Sequence, residues 1–228
     1  MKKHTLLFVS SALFLLFIIF TIIVKTVDVQ YIYNGTYLGL HDMNFKIGNL
    51  ITSYNHYRGM KLISNIILYV GIGYSGLIMI FGTISLIKVK SLKALNKRYY
   101  LLIGAYVLIV LLFAFFEIVK VNYSPDSSHE HLKASYPSTH VFVGCSLFLL
   151  NSYTAIKLLK PEKEWFIDLI YISTGLIVAL LTFTRTMSAK HWISDIIASV
   201  LLTASVYVLF IYISHLALPK IEEVETIE

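Results

Sequence analysis

Apolar residues run almost unbroken from Leu6 to Val24. Those 19 residues, at a rise of about 1.5 Å each, cover roughly the 30 Å of a bilayer's hydrocarbon. Five further runs follow, about Leu62–Ile87, Leu101–Val119, His140–Leu159, Phe166–Phe183 and Trp192–Leu218. The pattern predicts an all-α, six-transmembrane-helix bundle with both termini on one side of the membrane. Lys2 and Lys3 resemble the basic start of a signal peptide, but the run behind them is longer than the usual ~7–15 residues and no small-x-small cleavage pattern follows, so a retained first helix is expected. Between the first two spans, Val29–Tyr57 is too polar to cross and carries Tyr31, Tyr33, Tyr37, Phe45, Tyr54 and Tyr57. That composition predicts an interfacial segment, either an aromatic anchor or a substrate gate.

Composition sharpens this picture. Of 228 residues, 57% are hydrophobic and 14% charged, against about 25% charged in soluble domains, which excludes a water-soluble fold. No linker, repeat or low-complexity tract divides the chain, so residues 1–228 are expected to form one membrane-embedded domain. The net charge of +6 would favour nucleic acid in a soluble protein, but here the lysines punctuate apolar runs and orient them. No nucleic-acid partner is expected. Lys and Arg number 11 on the side of the termini and 8 on the other, and Lys88, Lys90, Lys93, Lys97 and Arg98 crowd a single short loop. The termini are therefore expected in the cytoplasm, with the segments around Lys120–Pro137 and Thr184–Lys190 outside. The single cysteine, Cys145, lies in an apolar run and is read as packing. Oligomeric state is not legible in the sequence.

The polar residues with chemistry in them collect at the outer ends of these spans. Tyr136-Pro137-Ser138-Thr139-His140 leads into the fourth, and Thr184-Arg185 beyond the fifth are followed by His191 and Asp195 at the start of the sixth. His191 and Asp195 are four apart, a spacing at which a helix lets the carboxylate accept the imidazole Nδ1 proton and leave Nε2 bare. His191 is thus a candidate nucleophile. Arg185 offers a permanently charged fork suited to phosphate oxygens. Pro137 is placed to start a helix, which sets Ser138, Thr139 and their backbone N–H groups where phosphate binds well. His140 beside them is a candidate proton donor to a departing alkoxide. Two histidines in these roles predict a bell-shaped pH profile. Singly, each residue also has a structural use, as a local His–Asp hydrogen bond, a snorkelling arginine or a helix cap.

Together the set resembles the type 2 phosphatidic acid phosphatase family, integral-membrane lipid phosphatases whose fold is similar to that of the vanadium haloperoxidases. The family's Pro-Ser-Gly-His motif is similar to Pro137-Ser138-Thr139-His140, with Thr for Gly. Its Ser-Arg, five residues, His, three residues, Asp motif is similar to Thr184-Arg185, His191 and Asp195, with Thr for Ser. The resemblance implies a metal-independent phosphohistidine mechanism without cofactors. In it His191 attacks, Asp195 orients His191, His140 protonates the leaving group, and Ser138, Thr139 and Arg185 hold phosphate. The family's first motif, Lys, six residues, Arg-Pro, is altered here: anchored on Pro125, it places Glu117 and Ser124 where the two cations belong. Losing two charged hydrogen bonds without compensation costs about 3–6 kcal/mol, or about 10²- to 10⁴-fold in rate. Lys120, Lys133 and Lys190 are near in sequence and are candidate replacements, Lys120 and Lys133 foremost, with Glu117 a partner for one of them.

The expected activity is hydrolysis of a lipid monophosphate or pyrophosphate at the outer leaflet, with the bilayer and a lipid phosphate as partners. Two other readings remain open at this point. The altered first motif fits a catalytically weak or inactive relative that binds or translocates lipid phosphates, and the covalent chemistry also fits a phosphotransferase with an acceptor other than water. His129, Glu130 and His131 raise a metal site, although their spacing matches no standard zinc pattern.

Overall fold

The computed structural model describes residues 3–33, 36–53, 57–125 and 132–217. Seven helices are described: α1 (Lys3–Thr26), α2 (His41–Ser53), α3 (Tyr57–Val89), α4 (Lys97–Ile118), α5 (Thr139–Leu159), α6 (Glu164–Met187) and α7 (Ile193–Ala217). All but α2 are long and apolar enough to cross a membrane. The chain is a multi-pass membrane protein, and each expected span falls on one of these helices.

Helix α5 is the hub: 72% of its apolar stretch is buried against 11% of that of α6. It packs against α3, α4, α6 and α7. Its small residues permit that crowding. A Cβ on Gly144 would stand 2.5 Å from Leu181 Cδ2, so a larger residue there would have to displace the Leu181 side chain from between α5 and α6. Helix α1 runs along α7, where Ser10 Oγ donates to the Ser205 carbonyl at 3.0 Å and Ser205 Oγ returns the bond to the Ser10 carbonyl at 3.2 Å. In lipid no hydrophobic force drives helices together, and such packing and reciprocal bonds supply the cohesion. Apolar faces of α3, α4 and α6 remain exposed, as expected of surfaces solvated by acyl chains.

The interfacial segment is more structured than its composition implies. It opens with a two-stranded antiparallel hairpin, β1 (Gln30–Tyr33) and β2 (Thr36–Leu38), in which Tyr31 faces Tyr37. Asp28 organises the turn into α2. Its carboxylate accepts the Asp42 amide at 2.7 Å, and that bond, followed by one from Gln30, lowers the Asp28 pKa. Gly39 lies against α1 so closely that a Cβ there would be 1.5 Å from the Val24 carbonyl oxygen. Gly39→Ala is therefore expected to push the hairpin and α2 off α1, at about 1–3 kcal/mol or more. A thermal unfolding midpoint equal to wild type would refute that contact.

Two local expectations are corrected. Helix α6 continues through Thr184 and Arg185 to Met187, so these residues belong to its final turns and not to the loop beyond. Helix α7 starts at Ile193, so Asp195 is in its first turn while His191 precedes it, and the pair is not presented by one continuous helix.

Candidate active site

The starts of α5 and α7 meet at one level because hydrogen bonds to their backbones tie them together. The Ser138 amide donates to the Asp195 carbonyl at 3.2 Å, and Ser199 Oγ donates to the carbonyls of Ser138 at 3.1 Å and Asp195 at 2.7 Å. A bridge between Tyr123 and Ala134 holds the loop before α5, through Ser124 N to Lys133 O at 2.9 Å and Ser135 N to Asn122 O at 3.0 Å. Tyr136 anchors this loop to α1 by a 2.6 Å bond between its hydroxyl and Thr21 Oγ1, and burial pushes its phenol pKa up.

His191 is held at both nitrogens. Nδ1 lies 2.9 Å from the Ser135 carbonyl, which can only accept, so Nδ1 carries the proton. Nε2 lies 3.0 Å from Arg185 Nη2, which can only donate, so Nε2 presents its lone pair. The two bonds agree on one neutral tautomer, the one a nucleophile at Nε2 requires. Asp195 acts differently from the sequence expectation: its Oδ2 is 3.7 Å from Nδ1, beyond a hydrogen bond but close enough for charge to matter. Its oxygens are occupied elsewhere, Oδ2 by the Trp192 amide at 3.0 Å and Oδ1 by Asn122 Nδ2 at 3.1 Å. A backbone carbonyl took the role assigned to the carboxylate because the turn before α7 rotates His191 away from the helical i, i+4 position.

Arg185 is 7% exposed, and its Nε has no hydrogen-bond partner. Ser138 Oγ and Ser135 Oγ are likewise buried without partners. Unpaired buried donors cost about 1–3 kcal/mol each, so three on the segments that carry His191 and its ties fit a site awaiting an anion. His140, in the first turn of α5, places Nε2 3.0 Å from Asn65 Oδ1 of α3. Its electrostatic neighbours are Arg185, His191 and Lys61, the last on α3 one turn from Asn65.

Other expected residues are placed less centrally. Thr139 lines a cleft on the α4 side with Glu117, Ser135, Tyr136 and Phe142, while Thr184 Oγ1 is satisfied by its own helix through the Leu180 carbonyl at 2.7 Å. Lys120 sits at the exposed rim, its Nζ 5.8 Å from the Tyr123 ring centroid. Lys133 is exposed, and its carbonyl anchors Ser124. Ser124 Oγ donates to the Lys190 carbonyl at 2.9 Å. His129, Glu130 and His131 lie outside the described residues. Sequence reasoning missed Asn44, Lys61, Asn65, Asn122 and Ser135. Neutral amides and a backbone carbonyl carry no motif, and Lys61 reads as an ordinary loop-end lysine until α3 is folded against α5.

A pocket opens beside His191, lined by Phe45, Gly48, Asn49 and Thr52 of α2 and by Pro125, Ala189 and Trp192. Phe45 stacks on Trp192 with centroids 5.4 Å apart, and Trp192 Nε1 donates to the Tyr123 carbonyl at 2.7 Å. The interfacial helix thus walls one side of the site.

Residues 115–218, which include every residue of the three motif-like segments, match the family model described as the PAP2 superfamily. Over that segment the chain is similar to the PAP2 superfamily. Its fold is similar, with a TM-score of 0.61 at 18% identity, to the crystal structure of a transmembrane PAP2 type phosphatidylglycerolphosphate phosphatase from Bacillus subtilis. The similarity covers 94% of this chain and 98% of that one, so it includes α1 to α3, which precede the family match. No curated protein matches the sequence.

Proposed function

We propose that the protein is a membrane lipid phosphatase, one domain over residues 1–228, that hydrolyses a lipid monophosphate or pyrophosphate through a phosphohistidine. The observation that carries this reading is the bare Nε2 of His191, held 3.0 Å from the guanidinium of Arg185 and in electrostatic reach of His140. The match of residues 115–218 to the PAP2 superfamily and the likeness in fold to a transmembrane phosphatidylglycerolphosphate phosphatase support it.

In the first step the Nε2 lone pair attacks phosphorus, an N–P bond forms and the bond from phosphorus to the leaving oxygen breaks. His140, entering the step protonated at both nitrogens and kept in place by Nε2–H donation to Asn65, passes the Nδ1 proton to that oxygen. His191 becomes a phosphorylated imidazolium, whose charge the Asp195 carboxylate balances. Water then attacks phosphorus, gives a proton to His140, breaks the N–P bond and releases inorganic phosphate with His191 neutral again. Arg185, Ser138, the amides at the start of α5 and Lys61 hold the phosphoryl oxygens, as donors preorganised where charge develops. Lys61 on α3 takes over part of the charge lost at Glu117 and Ser124, with Lys120, Lys133 and Thr139 at the rim of the site.

The sidedness follows from charge. The turn holding Lys88, Lys90, Lys93, Lys97 and Arg98 joins α3 to α4 at the end of the bundle opposite His191, so the positive-inside rule sets the termini in the cytoplasm and the site at the outer leaflet. The test is phosphate release from a panel of lipid monophosphates and pyrophosphates in bilayers, with and without excess chelator. Turnover of at least one lipid, unchanged by chelation, is the expected result. Binding without release across the panel would leave a lipid-phosphate binding protein instead.

A further inference from the structure

Asp195 is fully buried and spends both carboxylate oxygens on neighbours other than His191. Asn122 Nδ2, which holds Oδ1, also reaches Ser194 Oγ at 3.3 Å. Ser194 in turn is gripped by Asn44 of α2: Asn44 Nδ2 donates to Ser194 Oγ at 3.0 Å and Asn44 Oδ1 accepts the Ser194 amide at 3.2 Å. Asn44 Nδ2 also donates to the Gly39 carbonyl at 2.8 Å, which fixes its orientation. These four side chains are at most 1% exposed. A continuous buried relay therefore runs from the interfacial helix to the carboxylate beside the nucleophile.

A surface helix can dock more cheaply with a leucine than with an amide, since each buried polar atom must be paired. Asn44 is nevertheless the buried residue of α2, and both its oxygen and its nitrogen are committed to Ser194. That investment makes sense if the position of Asp195 matters. Held 3.7 Å from Nδ1, the carboxylate offers charge to a phosphorylated imidazolium without binding the proton of the resting imidazole. A carboxylate free to swing would carry that charge away from the imidazolium that forms when Nε2 attacks.

We infer that Asn44 and Asn122 are positioning residues that couple the seating of α2 on the bilayer to the nucleophile by restraining Asp195. The inference rests on the phosphatase reading. The ionisable groups facing His191 are Asp195 of α7, Arg185 of α6, His140 of α5 and, through His140, Lys61 of α3; the α2 residues beside it are uncharged.

The test is steady-state phosphate release by the full-length protein in bilayers, with pH profiles, for wild type, Asn44→Ala, Asn122→Ala and Asn151→Ala. Asn151 is the control, an asparagine bonded to Tyr106 and Ser75 far along α5 from the site. Asn122→Ala is expected to lower kcat about 10- to 100-fold with KM changed less than about threefold, and to move the acid limb of the kcat/KM profile to lower pH. Asn44→Ala should move the limb the same way by less, and Asn151→Ala should leave it in place. Ser194→Ala, which removes a single oxygen from the middle of the relay, replaces either asparagine variant that fails to fold, with the same direction expected. A limb unmoved in the relay variants, with activity falling only as thermal stability falls, would overturn the inference. Failure of the phosphatase reading looks different: wild type and His191→Ala would release phosphate equally.

Discussion

His191→Ala is expected to reduce phosphate release by on the order of 10⁴-fold or more, because a covalent route has no substitute once its nucleophile is gone. The effect should fall on kcat. Arg185 Nη2, which now donates to Nε2 at 3.0 Å, would be freed to bind phosphate, so substrate affinity is expected to hold or rise while turnover disappears. Rapid quenching of wild type with substrate labelled at phosphorus should trap protein-bound, acid-labile phosphate, absent from His191→Ala. An alanine variant with more than about a tenth of wild-type activity would remove His191 from the mechanism and leave the geometry without a nucleophile.

Arg185→Gln is expected to cost about 10²- to 10³-fold in kcat, the usual consequence of deleting a preorganised donor to a developing anion. Two effects combine here. The fork that would neutralise the phosphoryl oxygens is lost, and Nε2 loses the donor that opposes its protonation. Glutamine can still donate one hydrogen bond but carries no charge, so the loss reports on charge more than on shape. Arg185→Lys should recover part of the rate, since a lysine restores charge without the planar two-pronged geometry. Equal rates for Arg185→Gln and wild type, measured at saturating substrate, would show that phosphate is held elsewhere and would direct attention to Lys61.

The membrane fold was legible because the evidence for a span is local. A run such as Leu6–Val24 or Leu101–Val119 must become a helix in lipid, where each backbone N–H and C=O needs a partner within its own segment. Helix ends were less legible. Thr184 and Arg185 looked like loop residues for being polar, yet α6 carries them inside because Arg185 finds His191 and Thr184 bonds back to the Leu180 carbonyl. The interfacial segment was recognisable from its tyrosines, but its hairpin depends on the contact of Gly39 with Val24, a long-range fact.

The chemistry divides in the same way. Residue types and spacing alone grouped His140, Arg185, His191 and Asp195 as one candidate phosphate-handling set, because a reaction constrains which functional groups it needs. Only the tertiary structure decided how each is oriented. Ser135 lies 56 residues from His191, Asn65 lies 75 from His140 and Asn122 lies 73 from Asp195, so each orienting bond joins separate helices or loops. Hydrogen bonds of this kind depend on angles and distances that arise only when α3, α5, α6 and α7 pack together, and neutral amides and carbonyls leave no periodic trace along the chain that makes them.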